Sequence, residues 1–157
     1  MYTGDQVKIR PNQPAFIMAE SGYTVSYAEL EARSNRIAHL LRAQGLDRLD
    51  HYAIFMENHS RYLECCSAGE RSGLYYTCIN SYLTAQELAY IINNSQSRIL
   101  FTSTKKRDVA LEAVKSCPRI KFIVVVDGPT EGDNIMNLDE AVAEYPGTPI
   151  ADENVGT

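Results

Sequence analysis

Apolar and polar positions follow two different periods along this chain, and the changes between the two periods predict its secondary structure. Four apolar runs bounded by polar breaks occur at residues 52–56, 74–79, 98–102 and 121–126. Such runs are typical of parallel strands that are covered on both faces. The segments between them place apolar residues at helical spacing. We therefore expect strands and helices to alternate, with the helices crossing between parallel strands of one sheet.

Two of the predicted helices begin with a capping box. Ser26 stands at the start of the first helix and Glu29 follows three residues later, and Thr84 and Glu87 repeat this spacing. In a capping box the hydroxyl and the carboxylate each accept a backbone N–H at the start of the helix. Gly45 is predicted to end the first helix, because glycine adopts the left-handed C-terminal conformation without a steric penalty.

Two further helices are predicted from other signals. A helix that ends near residue 72 contains Gly69, and a glycine inside a helix costs about 1 kcal/mol relative to alanine. Close approach of this helix to the sheet is the expected reason for the glycine. The helix that follows residue 102 is predicted to have Ser103 or Thr104 as its N-cap.

The two ends of the chain carry weaker patterns. Residues 1–14 are polar and contain prolines, which indicates an irregular start. Residues 15–19 and 23–26 are short β-prone runs around a polar turn, so we expect an N-terminal β-hairpin. A last short helix is predicted at residues 138–145, and residues 146–157 are predicted to form a polar tail with nothing to pack.

Together these patterns predict an α/β fold with a mostly parallel sheet, helices on both faces and an N-terminal β-hairpin. At 157 residues the chain is long enough for one domain with a hydrophobic core. We assign residues 1–145 to a single α/β subdomain and residues 146–157 to the tail.

Charge and hydropathy narrow the classes of partner. The formal net charge is −5, and lysines and arginines are scattered along the chain, whereas nucleic-acid or anionic-membrane binding needs a clustered basic face. No apolar run approaches the roughly 20 residues of a membrane span, and no apolar segment follows Met1. We expect a cytoplasmic protein without a membrane span.

The sequence offers few groups for covalent or metal chemistry. The four cysteines, Cys65, Cys66, Cys78 and Cys117, form no C-x-x-C pair, and this favours packing over metal binding or redox chemistry. The glycine-rich fingerprints of dinucleotide and phosphate-loop proteins and the G-x-S-x-G nucleophile motif are all missing. No residue is therefore assigned to catalysis, to cofactor binding or to a metal.

Polar side chains follow the predicted strands. Open α/β sheets bind ligands at the carboxyl ends of their strands. The predicted substrate-binding residues are Asn58, His59, Asn80 and Ser81. Thr102, Ser103 and Asp127 lie at equivalent positions. The alternative interpretation is structural, because such residues also cap helices and close turns.

Three segments resemble the start of the adenylate-forming acyl-CoA synthetases, the AMP-binding superfamily. Residues 24–30 (TVSYAEL) are similar to the first shared motif, and residues 68–80 (AGERSGLYYTCIN) to the second. Residues 83–88 (LTAQEL) match the continuation of the second motif, and the order and intervals of the motifs agree as well. The sequence of the second segment is most similar to that of bacterial fatty-acid or other carboxylic-acid CoA ligases, except that Thr77-Cys78 stands where many members have Val-Pro.

The resemblance implies a two-step ligase that uses ATP, Mg²⁺ and CoA. A carboxylic or fatty acid attacks the α-phosphate of ATP, and the CoA thiol then displaces AMP from the acyl-adenylate. In the family the acting residues belong to later motifs, among them a phosphate loop ending in P-K-G, and none of these motifs occurs here. The chain thus resembles an N-terminal fragment of a large N-terminal domain, with the remainder of the parent enzyme as its partner.

Other interpretations remain open. The isolated fragment is predicted to be inactive and to bind none of these cofactors. A stand-alone, non-catalytic binding or interaction module is the alternative, and an unrelated flavodoxin-like or nucleotide-binding enzyme is a third class that the missing phosphate loop disfavours. A fragment separated from its neighbouring subdomain exposes a sheet edge or face, so a homo-oligomer is also left open.

Overall fold

A computed structural model of the chain describes residues 2–128 and 132–154, and five of its strands form one parallel sheet. The strands are β1 (Pro14–Ile17), β2 (Thr24–Ser26), β3 (His51–Phe55), β4 (Tyr75–Cys78), β5 (Ile99–Thr102), β6 (Phe122–Val125) and β7 (Ile135–Asn137). The sheet has the order β4-β3-β5-β6-β7, while β1 and β2 pair antiparallel as a separate hairpin. The predicted parallel sheet and N-terminal hairpin are confirmed, and β7 is a strand that the hydrophobic pattern did not reveal.

Helices cover both faces of the sheet, as predicted. They are α1 (Thr3–Ile9), α2 (Tyr27–Ala43), α3 (Tyr62–Ser72), α4 (Ala85–Asn94), α5 (Arg107–Val114) and α6 (Leu138–Val142). Side chains of α2, α3 and α6 share one core cluster with the sheet, and side chains of α4 and α5 share the other. The β3–α3 connection therefore leads to one face of the sheet and the β4–α4 connection to the opposite face.

The central strand β3 shows how one continuous apolar run serves both clusters. Tyr52 and Ile54 belong to the cluster with α2 and α3, whereas Ala53 and Phe55 belong to the cluster with α4 and α5. All four side chains are fully buried. Because successive strand residues point to opposite faces, a strand covered on both sides needs an apolar residue at every position.

The predicted helix boundaries with capping boxes are confirmed. The Ser26 hydroxyl accepts the Glu29 N–H, and the Glu29 carboxylate accepts the Ser26 N–H at 2.9 Å. Thr84 and Glu87 form the same reciprocal pair at the start of α4. Gly45, with φ +77°, follows α2 in the left-handed conformation.

Gly69 allows α3 to lie directly on the sheet. A Cβ atom at this position would lie 2.5 Å from the Tyr52 hydroxyl oxygen and 2.7 Å from Cδ1 of Tyr76. Both distances are shorter than any normal contact, so only glycine fits without displacement of the two tyrosine side chains. The predicted close approach is confirmed.

The start of the chain is helical, and the prediction of an irregular start is wrong. Helix α1 is only seven residues long, and a helix this short is not stable alone. Tertiary contacts hold it: the Thr3 hydroxyl donates to the Glu31 carboxylate of α2 at 2.8 Å. The sequence could not reveal α1 because its stability comes from those distant partners.

The predicted N-cap of the helix after β5 is also wrong. Neither Ser103 nor Thr104 caps it with a side chain, and a 3₁₀ turn over Thr104–Lys106 precedes α5. The Ser103 hydroxyl donates to Glu57 at 2.6 Å instead. The exposed Thr104 N–H is accepted by Asp127, also at 2.6 Å, from the end of the neighbouring strand.

The C-terminal segment packs against the helices, so the expectation of a tail with nothing to pack is wrong for residues 146–154. Ile150 is buried, the Asn154 N–H donates to the Arg71 carbonyl at 2.9 Å, and Asp152 pairs with Arg42 at 3.0 Å. The rest of the predicted tail, residues 155–157, lies outside the described residues.

None of the helices in residues 2–128 and 132–154 is long and apolar enough to cross a membrane.

Candidate functional site

Asn58 and His59 follow β3 at the carboxyl edge of the sheet. The Nδ1 atom of His59 accepts the Arg61 N–H at 3.1 Å, so the ring proton of the neutral imidazole is on Nε2. Nε2 lies 3.3 Å from the carboxylate of Asp127, which follows β6. Both ring nitrogens of His59 are therefore engaged with the protein, and the ring is fixed rather than free to act as a base.

Asn58 and His59 line two adjoining grooves between the β-hairpin and the start of α3. One groove has a volume of about 350 Å³ and is lined by Met18, Ser21, Tyr23, Asn58, His59 and Ser60. The other has a volume of about 210 Å³ and is lined by Phe16, Met18, Asn58, His59, Tyr62 and Leu63. We call the two together the hairpin groove. Its lining combines a polar amide and an imidazole with aromatic and aliphatic side chains.

Asn80 and Ser81 lie at the same edge of the sheet but line neither part of the hairpin groove. The register pairs Ile54 with Cys78, so the loops after β3 and β4 begin side by side. They then diverge, because α3 covers one face and α4 covers the other. The Asn80 side chain accepts the Tyr82 N–H at 3.0 Å and closes its own turn.

The other polar groups at the strand ends have structural partners. The Thr102 hydroxyl donates to the Phe55 carbonyl at 2.8 Å, and Ser103 and Asp127 make the bonds described above. The structural interpretation of these three residues is sufficient. Among the sequence candidates, only Asn58 and His59 are brought together on an open groove.

The apolar wall of the hairpin groove contains residues that the sequence interpretation did not select. Phe16 and Met18 come from the hairpin, and Tyr62 and Leu63 come from the first turn of α3. The signal in the sequence was weak, because residues 15–19 (AFIMA) are all apolar and the pattern does not show which of them face the groove. Leu63 is 43% exposed, although a leucine is usually buried.

A second cleft, of about 360 Å³, is lined by three arginines. Arg61 pairs with Asp139 at 2.8 Å and with the buried Glu64, and Arg33 lies 4.0 Å from Glu64. These carboxylates balance much of the positive charge of the cleft, in which Arg36 is the third arginine. We assign no anion to it.

The described residues contain no group of three or more His, Cys, Asp or Glu side chains that could hold a metal ion. The hairpin groove can hold an apolar chain with a polar end, but it offers no activated nucleophile or base. What the groove can do chemically is bind and orient a small molecule.

Comparisons with known proteins agree with this architecture. The family model described as AMP-binding enzyme matches residues 4–155. The chain is 33% identical over 116 residues to a 3-oxocholest-4-en-26-oate–CoA ligase of Rhodococcus rhodochrous, an alignment that covers 74% of this chain and 21% of that ligase. It is 36% identical over 91 residues to the fatty acid–[acyl-carrier-protein] ligase ScoC of Streptomyces coeruleorubidus, covering 58% of this chain and 17% of ScoC.

A solved structure shows the same fold. The crystal structure of the anthranilate CoA ligase AuaEII in complex with anthranoyl-AMP superposes with a TM-score of 0.85 at 14% identity, over 99% of this chain and 28% of that chain. The chain thus spans between a sixth and a third of the length of these relatives. The match of the family model over nearly the whole sequence shows that the chain belongs to the family of AMP-binding enzymes.

Proposed function

We propose that the chain is the N-terminal part of an acid–CoA ligase, which activates a carboxylic or fatty acid with ATP to an acyl-adenylate and transfers the acyl group to CoA. The observation that carries the proposal is the family match over residues 4–155, combined with alignments that cover only 21% and 17% of the two relatives. The remainder of the parent enzyme is then the main partner of this chain.

Within that enzyme the chain contributes a wall of the acid-binding site. The hairpin groove supplies apolar contacts for the hydrocarbon part of the acid, and Asn58 supplies hydrogen bonds to a polar substituent. Asn58 suits this role because its side chain is exposed and lines both parts of the groove. Asn80 and Ser81, at the same edge of the sheet but outside the hairpin groove, stay predicted binding residues.

ATP, Mg²⁺ and CoA are assigned to the part of the enzyme outside this chain. The sequence has no glycine-rich phosphate loop, and the described residues offer no trio of metal ligands. When bound, these groups supply the adenylate intermediate and the acyl acceptor. The described residues hold the apolar part of the acid and do not form the reacting centre, so we propose that the isolated chain is inactive.

A chimera tests this proposal. In the Rhodococcus ligase, the aligned segment of 116 residues is replaced by the matching segment of this chain, and acid-dependent pyrophosphate release is measured with a panel of carboxylic acids. We expect activity to be retained, with an altered preference among acids. A chimera that folds cooperatively but releases no pyrophosphate with any acid would contradict the proposal.

A pair of leucine variants tests the role of the groove. Leu63→Asp places a charge in the apolar wall of the groove. Leu49→Asp is the control, because Leu49 lies outside the groove and is 50% exposed, close to the 43% of Leu63. In the chimera we expect Leu63→Asp to raise KM for an apolar acid about tenfold with a smaller change in kcat, because binding contacts are lost. Leu49→Asp should leave KM unchanged, and equal effects of both variants would remove the groove from the proposal.

A further inference from the structure

Two cysteines that are distant in sequence meet at the junction of α3 and the outer strand β4. The sulfur atoms of Cys66 and Cys78 are 4.0 Å apart, in hydrogen-bond contact. Cys66 lies within α3 and is buried, while Cys78 is the last residue of β4 and is exposed. One thiol is therefore open to a reagent and the other lies behind it, out of direct reach.

The surroundings of the pair favour a thiolate on Cys78. The hydrogen bond with Cys66 lowers the pKa of the Cys78 thiol below that of an ordinary cysteine, and a hydrogen bond from the Tyr62 hydroxyl acts in the same direction. The other two cysteines differ, because burial raises the pKa of Cys65 and of Cys117. The thiolate is the reactive form of cysteine, so Cys78 stands apart from the rest.

We propose that Cys66 and Cys78 form a redox-responsive pair, in which a hydroperoxide oxidises Cys78 and Cys66 then closes a reversible disulfide between α3 and β4. The pattern of one exposed and one buried thiol in contact assigns the roles. Cys78 is the residue that is attacked first, and Cys66 is the residue that resolves it.

The two steps balance as follows. The Cys78 thiolate attacks one peroxide oxygen, an S–O bond forms as the O–O bond breaks, and the leaving alkoxide or hydroxide takes up a proton. Cys78 is then a sulfenic acid. The Cys66 sulfur attacks the Cys78 sulfur, the S–S bond forms as the S–O bond breaks, and hydroxide leaves with the Cys66 proton as water. Two thiols have lost two electrons to one hydroperoxide.

The fold permits closure of this bond. A disulfide needs the two sulfur atoms about 2 Å apart, so they must approach each other from 4.0 Å. Cys66 is held in the middle of α3, but Cys78 ends a strand that pairs on one side only. A small shift at the end of this outer strand, with rotation of both side chains, can therefore close the distance.

The test uses the reduced, purified 157-residue chain, treated with hydrogen peroxide and analysed by mass spectrometry. We expect loss of the mass of two hydrogens, a peptide linked through Cys66 and Cys78, and full reversal by dithiothreitol. Cys66→Ser should instead accumulate a sulfenic acid at Cys78 that a cyclic-dione probe traps. Cys78→Ser should lose both products, while the control Cys117→Ser should form the disulfide as the wild type does.

A second readout does not depend on oxidation. Cys66→Ala removes the thiol in hydrogen-bond contact with Cys78, so we expect slower alkylation of Cys78 by iodoacetamide at neutral pH and an alkylation midpoint shifted to higher pH. The thermal melts of the variants establish that each is folded. Oxidation of a folded wild type at Cys65 or Cys117 in preference to Cys78, or oxidation only to sulfinic acid without a disulfide, would overturn the proposal. These outcomes do not bear on the ligase proposal, because no acid, ATP or CoA is present.

Discussion

Arg71→Met is the substitution that tests most sharply how the ends of the chain are held. The Arg71 side chain is fully buried, and its guanidinium group donates to the Glu31 carboxylate of α2 at 2.6 Å and to Glu153 at 2.8 Å. It also donates to Thr3 of α1 at 2.9 Å. One side chain of α3 therefore joins α1, α2 and the C-terminal segment.

The magnitude follows from burial. Loss of one partner from a buried ion pair typically destabilises a protein by about 3–5 kcal/mol, because the remaining charge is left without compensation. Here the side chains of Glu31 and Glu153 keep 13% and 25% of their exposure, so water reaches the carboxylates that are left behind. We therefore expect the lower end, about 3 kcal/mol, which corresponds to a fall in Tm of about 6–12 °C for a chain of this size.

Urea denaturation measures the free energy of unfolding, and limited proteolysis reports release of residues 146–154. The matched control is Arg98→Met, because Arg98 pairs with Asp50 at 2.6 Å but the two side chains are 25% and 33% exposed. A pair that water reaches from both sides in this way contributes less than a fully buried one, about 1 kcal/mol. If Arg71→Met destabilises the chain no more than Arg98→Met, or leaves the proteolysis of the C-terminal segment unchanged, Arg71 does not hold the chain ends together.

Two further predictions concern acid and packing. Burial raises the pKa of Glu31, but the hydrogen bonds and charge of Arg71 outweigh burial and hold this pKa below the ordinary value. The ionised Glu31 carboxylate therefore stabilises the fold above the unfolded-state pKa of about 4.3, and this contribution is lost as the pH falls further and the carboxylate is protonated. Burial raises the pKa of Glu64, so protonation of Glu64 at acid pH adds stability instead of removing it. In urea titrations at a series of pH values, Glu31→Gln should therefore reduce the loss of stability in acid, and Glu64→Gln should increase it. Matching profiles of the two variants would contradict both assignments. Gly69→Ala should destabilise the chain by about 1 kcal/mol or more despite the helix preference of alanine. In a Tyr52→Phe background, which removes the hydroxyl 2.5 Å from the added Cβ, chemical denaturation should show a smaller penalty, and additive penalties would argue against the clash.

Local signals in the sequence were sufficient for most of the fold. The capping boxes at Ser26 and Thr84 depend on residues three positions apart, and they appear in the structure as predicted. Continuous apolar runs identified four of the parallel strands, but the expectation that all four are covered on both faces is wrong for β4, which lies at the edge of the sheet and is partly exposed. The failures lie where stability comes from distant partners: α1 depends on Glu31 and Arg71, and the C-terminal segment depends on Arg71.

The candidate site shows the same limit. Sequence position placed Asn58 and Asn80 at strand ends, but it could not tell that α3 and α4 lead their loops to opposite faces. The contact of His59 with Asp127 depends on which strands are neighbours at that edge of the sheet. The contact between Cys66 and Cys78 depends on how α3 packs on β4, and no motif in the sequence predicts this contact.

Acid-dependent pyrophosphate release shows directly whether this chain is the N-terminal part of an acid–CoA ligase whose reacting groups lie elsewhere. The isolated chain and the Rhodococcus chimera are assayed side by side with ATP, Mg²⁺, CoA and the same carboxylic acids. We expect release by the chimera and none above the acid-free background by the isolated chain. Pyrophosphate release by the isolated chain, or no release by a folded chimera with any of the acids, would contradict this assignment.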